Sequence, residues 1–174
     1  AWNCHCCSAN NTTLRVGMKT PAIICDLDGT LCNTEHRAHF LEQKKKDWDS
    51  FYEAMSDDPP YSEVAQFLLA LRSMTNSAES KYPVIIFCTG RPDKYKHETT
   101  KWLRIHLGFA LDSDYKLCMR KTGDHRPDTA VKKELLEQIK QEYQPILAIE
   151  DRTRVVNAWR EWGIPCMQWQ KNDF

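Results

Sequence analysis

Ile23-Ile24-Cys25-Asp26-Leu27-Asp28-Gly29-Thr30-Leu31 is the stretch that decides the fold. A short apolar run followed at once by polar residues and glycine reads as a buried strand that ends in a turn. Asp26 and Asp28 then stand at the carboxyl end of that strand, one residue apart. In an open parallel sheet that end is where ligands bind. Paired carboxylates there are poor packing elements and a good cation site. One can attack as a nucleophile while the other moves a proton.

Working outward, strands alternate with helices. Thr34 to Lys46 is polar and reads as a helix, ending in the run Lys44-Lys45-Lys46, taken as a solvated face. Asp57-Asp58-Pro59-Pro60 is a break. Glu63 to Met74 carries Val64, Phe67, Leu68 and Leu71 at helical spacing, and Thr75 to Tyr82 reads as a loop. Val84 to Cys88 is a second buried strand, closed by Thr89-Gly90-Arg91-Pro92. A helix over Asp93 to Leu107 is expected to turn Trp102, Leu103 and Leu107 inward. Tyr115 to Met119 is a third strand, Thr129 to Tyr143 a helix, and Pro145 to Ile149 a fourth strand ending in Glu150-Asp151-Arg152. Arg154 to Trp162 is the last helix and Ile164 to Trp169 the fifth strand. This pattern predicts an α/β fold: a three-layer, Rossmann-like parallel sheet of about five strands with helices on both faces.

At 174 residues, residues 18–174 read as one domain. Lys and Arg number 24, as do Asp and Glu, and the pI is about 7.2. Bulk charge thus argues against a nucleic-acid coat protein or a polybasic membrane binder. No apolar run approaches the roughly 20 residues of a membrane span, and the first residues lack a signal-peptide layout. Eight cysteines are present, of which Cys25, Cys88, Cys118 and Cys166 sit in or beside apolar runs and read as small buried hydrophobes. A reduced, cytoplasmic setting is the simpler reading. Cys4-His5-Cys6-Cys7 is too crowded, without a second knuckle, to make a convincing zinc site, and residues 1–17 read as a disordered tail or an extension.

Three strand ends carry matching polar groups: Asp26 and Asp28, Thr89, and Glu150 with Asp151. Lys132 adds a cation near a helix start on the same side. Together these residues resemble the haloacid dehalogenase superfamily of phosphotransferases, whose four motifs are matched in order by Asp26-Leu27-Asp28-Gly29-Thr30, Thr89, Lys132 and Glu150-Asp151. The resemblance implies that Asp26 attacks phosphorus to form an aspartyl-phosphate. Asp28 would protonate the leaving oxygen and then deprotonate water. Mg2+ would be held by the Asp26 carboxylate, the Asp28 backbone carbonyl and an acidic residue of the last motif. Thr89 would bond a phosphoryl oxygen, and Lys132 would offset charge. Glu150 stands where a second Asp is usual. Asp151 is therefore expected as the direct ligand with Glu150 behind it, or Glu150 paired with Arg152 or Arg154.

Met119-Arg120-Lys121-Thr122-Gly123-Asp124-His125-Arg126-Pro127-Asp128, the segment Arg152 to Val156, and Trp159-Arg160-Glu161-Trp162-Gly163 are similar to the 3′-phosphatase domain of phage polynucleotide kinase-phosphatases. The ending Gln168 to Phe174 also resembles that group, with Asn172 in place of Gly. That resemblance adds Arg37, Gly90 and Arg91 as substrate-binding groups, and Asp128 to orient Lys132. Arg120 and Arg126 belong to a basic stretch, Lys116 to Lys133, that could steer a polyanion. No Gly-x-x-x-x-Gly-Lys-[Ser/Thr] loop occurs in this chain, so phosphorylation by that route is not expected of it. A separate kinase or ligase is a possible partner. The interval from Thr30 to Thr89 leaves no room for a large cap domain, which suits an open site that admits a DNA or RNA 3′ end. The other readings are a phosphatase of nucleotides or small phosphomonoesters, and a non-catalytic module that binds nucleic acid or protein.

Overall fold

Alternation along the central strands builds the layers. In the computed structural model, which describes residues 19–75 and 83–171, β1 (Thr20–Cys25) sends Ile23 and Cys25 to one face and Ala22 and Ile24 to the other. In β2 (Val84–Pro92), Ile85 and Phe87 join the first face, Ile86 and Cys88 the second. The first face packs on α3 (Ser62–Thr75) and α4 (Lys96–Leu107), through Val64, Leu68, Trp102 and Leu103. The second packs on α5 (Asp128–Glu142) and α6 (Thr153–Glu161), through Val131, Leu135, Leu136, Val155, Val156 and Trp159. Both faces are apolar, as a parallel sheet covered on both sides requires.

With β3 (Tyr115–Arg120), β4 (Tyr143–Glu150) and β5 (Cys166–Gln168) the sheet is five-stranded and all parallel, in the order β3-β2-β1-β4-β5. The order reverses at β1, so the crevice beyond β1 and β4 is the topological switch point. Pro145 in β4 cannot donate to the ladder, and the pairing with β1 slips beside it, between Ala22 and Ile23.

Several expectations need correction. Thr34 to Lys46 is not one helix: α1 spans Glu35–Ala38, and turns follow. Residues 42–46 are exposed and offer no apolar stripe to hold a helix on the core. A second short helix, α2 (Trp48–Glu53), comes after that stretch and runs into a 3-10 turn, Ala54–Asp57. Phe67 is 39% exposed rather than inward, its place on α3 taken by Ala65. β2 continues through Thr89-Gly90-Arg91 to Pro92, with a register shift against β3. Cys25, Cys88 and Cys166 are buried free thiols, while Cys118 is half-buried. The Cys4–Cys7 cluster, the tail over 1–17, most of the Thr75–Tyr82 loop and Asn172 to Phe174 lie outside the described residues. Among the described residues, no helix is long and apolar enough to cross a membrane.

Candidate active site

Three adjacent strands deliver the chemistry. The Asp26 N–H donates to the Ile149 carbonyl at 3.0 Å, which locks the end of β1 to the end of β4. The chain then turns tightly: the Leu27 carbonyl accepts from the N–H groups of Thr30, Leu31 and Cys32, and Gly29 takes φ 85°, where a side chain would be strained. The turn throws the Thr30 hydroxyl back onto Asp151 Oδ1 at 3.1 Å. Thr30 therefore has a task the sequence reading missed, which is to hold an acidic residue on a neighbouring strand. On the other side of β1, Thr89 is wholly buried and its Oγ1 accepts the Arg91 N–H at 3.2 Å.

Asp26, Glu150 and Asp151 form one buried acidic group, with one carboxylate oxygen from each lying within 4.8 Å of the others. Lys132 Nζ lies 2.5 Å from Glu150 Oε2 and 3.1 Å from Asp26 Oδ1, the latter off the line of a hydrogen bond. Glu150 thus pairs with Lys132, not with Arg152 or Arg154. Three carboxylates against one ammonium leave excess negative charge in a dry place. Burial, then Glu150, pushes the Asp26 carboxyl up to about 7, and burial, then Asp26, pushes Asp151 up to about 6. Asp26 Oδ1, Glu150 Oε1 and Asp151 Oδ2 are buried without a hydrogen-bond partner. Unpartnered hard oxygens in a cluster of this charge suit a divalent cation.

Asp28 is held differently. Its Oδ1 accepts from Arg37 Nη2 at 2.6 Å, and from Arg91 Nε and Nη2 at 2.9 and 2.5 Å. Both arginines are 0% exposed. Buried Asp58 completes the quartet, accepting from Arg37 Nε at 2.7 Å and Arg91 Nη2 at 3.2 Å, while His36 Nε2 sits 2.9 Å from it. Burial raises the Asp28 carboxyl, but Arg91 and Arg37 outweigh it and hold it well below the usual carboxylate range. In this arrangement Asp28 rests ionised and is only weakly basic. To act first as an acid it must take up a proton when a phosphate's negative charge arrives.

A cavity of about 870 Å³ opens over these groups. Asp26, Asp28, Thr89, Gly90, Asp128 and Lys132 line it, with Arg120, Arg126, Arg152 and Arg154. Arg37 and Arg91 do not; they stand behind Asp28. Asp128 does not bond Lys132. It gathers Arg120, Arg152 and, at 3.3 Å, Arg154. A Cβ on Gly90 would lie 3.3 Å from Asp128 Oδ1, so a bare glycine leaves room for that cluster.

With this geometry in view, comparison with known proteins is decisive. The family model described as the polynucleotide kinase PNKP phosphatase domain matches residues 20–174. The chain belongs to that family. It is a phosphatase domain of the haloacid dehalogenase type. A protein of Autographa californica nuclear polyhedrosis virus, whose name assigns it polynucleotide kinase and RNA ligase activities, is 28% identical over 152 residues, 86% of this chain and 19% of the viral protein. A chain in the solved Pnkp1/Rnl/Hen1 RNA repair complex is 31% identical with a TM-score of 0.71, over 90% of this chain and 44% of that one. The phosphatase domain thus spans under half the length of either. The class C acid phosphatase of Bacillus anthracis, at 16% identity and TM-score 0.64 over 90% of this chain and 68% of that one, shares the fold.

Within the phosphatase domain, the expected basic track from Lys116 to Lys133 is mostly neutralised. Lys116 pairs with Asp112, Arg126 with Asp124 and Glu134, and Lys133 with Glu137. Arg120 is spent on the loop itself, donating to the carbonyls of Gly90, Asp124 and Arg126 at 2.9, 3.1 and 2.7 Å. Exposed Lys45 and Lys46, read from sequence as a solvated face, instead line the cavity. Asp58 was read only as part of a break. Its signal was indirect: two arginines that must be buried beside one Asp need a second counter-charge.

Proposed function

We propose that this phosphatase domain removes phosphate from 3′ ends of nucleic-acid strands by way of an aspartyl-phosphate on Asp26. The match over residues 20–174 to a polynucleotide kinase phosphatase domain carries the reading. The open cavity, lined by eight Lys and Arg against six Asp, suits the end of a polyanion. Asp26 attacks phosphorus and the strand's 3′ oxygen departs. Asp28 gives that oxygen a proton, then takes one from the water that splits the intermediate. The Thr89 hydroxyl binds a phosphoryl oxygen, and Lys132 offsets the charge of Asp26 and the phosphate. Arg37 and Arg91 hold Asp28 in place from behind. The acidic group fits Mg2+, with Asp26 and Asp151 as carboxylate ligands and Glu150 behind them, tied to Lys132. The metal, when bound, neutralises charge between carboxylate and phosphate.

The testing experiment compares kcat/KM for a 3′-phosphorylated oligonucleotide and a free nucleoside 3′-monophosphate with Mg2+ present. The oligonucleotide is expected to be the better substrate. A clear preference for the free nucleotide defeats the polymer reading and favours small phosphomonoesters. Thr30→Val probes the metal site: losing the bond to Asp151 should weaken Mg2+ affinity about 10- to 100-fold, read from the Mg2+ dependence of activity. An unchanged Mg2+ midpoint would mean that the Thr30 bond does not help to position a metal ligand. The viral relative's name and the RNA repair complex support a kinase or ligase as the partner that acts on the end this chain leaves.

A further inference from the structure

Trp48 stands on the wall of the cavity and none of the chemistry above uses it. It opens α2 directly after the N-cap Asp47, whose carboxylate accepts from the Ser50 N–H at 3.1 Å and hydroxyl at 2.7 Å. The cap fixes where the indole leaves the helix. The indole stacks on Tyr52, ring centroids 5.9 Å apart and planes at 24°, and lies edge-to-face with Phe51, centroids 5.8 Å apart. The Tyr52 hydroxyl donates to the Gly90 carbonyl at 3.4 Å, which ties this aromatic stack to the strand end that carries Thr89. Yet Trp48 is 40% exposed, in a cavity where most of the lining residues are charged or polar. An indole braced by two neighbouring rings and still part-exposed in the cavity is a stacking platform.

Its surroundings indicate what it stacks on. Lys46 Nζ lies over the ring, 5.7 Å from its centroid, and Lys45 also lines the cavity. An aromatic face beside flexible ammonium groups matches a single strand, whose bases stack while its phosphates pair with the cations. Lys46, on a long stem, can turn to a backbone phosphate when a base covers the ring. We infer that Trp48 stacks on a nucleobase within the last two nucleotides of the strand whose 3′-phosphate reaches Asp26. This rests on the reading of the substrate as a nucleic-acid end.

The test uses two 3′-phosphorylated oligonucleotides, alike except that one lacks the bases of its last two nucleotides. The unmodified protein should turn over the intact strand with a kcat/KM about tenfold or more above the abasic one, the size expected of one base–aromatic stack. In Trp48→Ala that ratio should collapse toward one, and Trp48→Phe, which keeps a ring, should restore most of it. Equal turnover of both strands by the unmodified protein overturns the inference while leaving the 3′-phosphatase reading intact. So does a Trp48→Ala variant that slows both strands alike, as mere loss of packing would. If the unmodified protein hydrolyses neither strand but does hydrolyse a small phosphomonoester, the substrate reading fails and the inference fails with it.

Discussion

Asp26→Asn is expected to abolish hydrolysis of a chromogenic phosphomonoester with Mg2+ present, lowering kcat by about 10⁴-fold or more. The amide has the shape of the carboxylate but no anionic oxygen with which to attack phosphorus. Loss of fold should not contribute. The Asp26 backbone is fixed by its bond to Ile149, and the neutral amide relieves crowding with Glu150 and Asp151 rather than adding to it. The metal-free variant should therefore unfold in urea at the same concentration as the unmodified protein or a higher one. An active Asp26→Asn variant sinks the covalent mechanism. An inactive variant that has also unfolded would mean that the acidic group holds the fold together.

Asp58→Ala is expected to do the opposite, harming the fold first. Asp58 is 1% exposed and shares Arg37 and Arg91 with Asp28. Removing it leaves two fully buried guanidiniums facing one carboxylate. Breaking a buried ion pair from one side costs about 3–5 kcal/mol, a large share of the roughly 5–15 kcal/mol that keeps a domain folded. Urea unfolding should show a drop of that size in the free energy extrapolated to water. Asp58→Asn, which still accepts a hydrogen bond, should lose less. A Asp58→Ala variant within about 1 kcal/mol of the unmodified protein would mean that water or Asp28 alone satisfies the arginines.

The sequence exposed most of the sheet because its strands are buried on both faces and read as apolar runs, as at Ile23 to Cys25 and Val84 to Cys88. Strand ends were legible because polar residues break such runs abruptly, as Asp26, Thr89 and Asp151 do at the carboxyl ends of three adjacent strands, where all three are buried. Segments whose fate depends on distant partners were not. Thr34 to Lys46 has helical composition, but its exposed residues 42–46 have nothing to pack against, and the helix stops after Ala38. Asp58 gains its importance only when Arg37 and Arg91 arrive from elsewhere in the chain. Phe67 has the right spacing for the core, but α3 is rotated so that Ala65 takes the buried place. Lys45 and Trp48 reached the cavity through a turn that no periodicity announces.

The bond from Thr30 to Asp151 joins residues 121 positions apart, and β1 finds its partner β4 only at residues 143–150. The segment that carries Asp26 thus precedes, by more than a hundred residues, the strand that covers one flank of β1. A product truncated before β4 is therefore expected to hold Asp26, Asp28 and Thr89, lack Glu150 and Asp151, and be inert in a phosphatase assay.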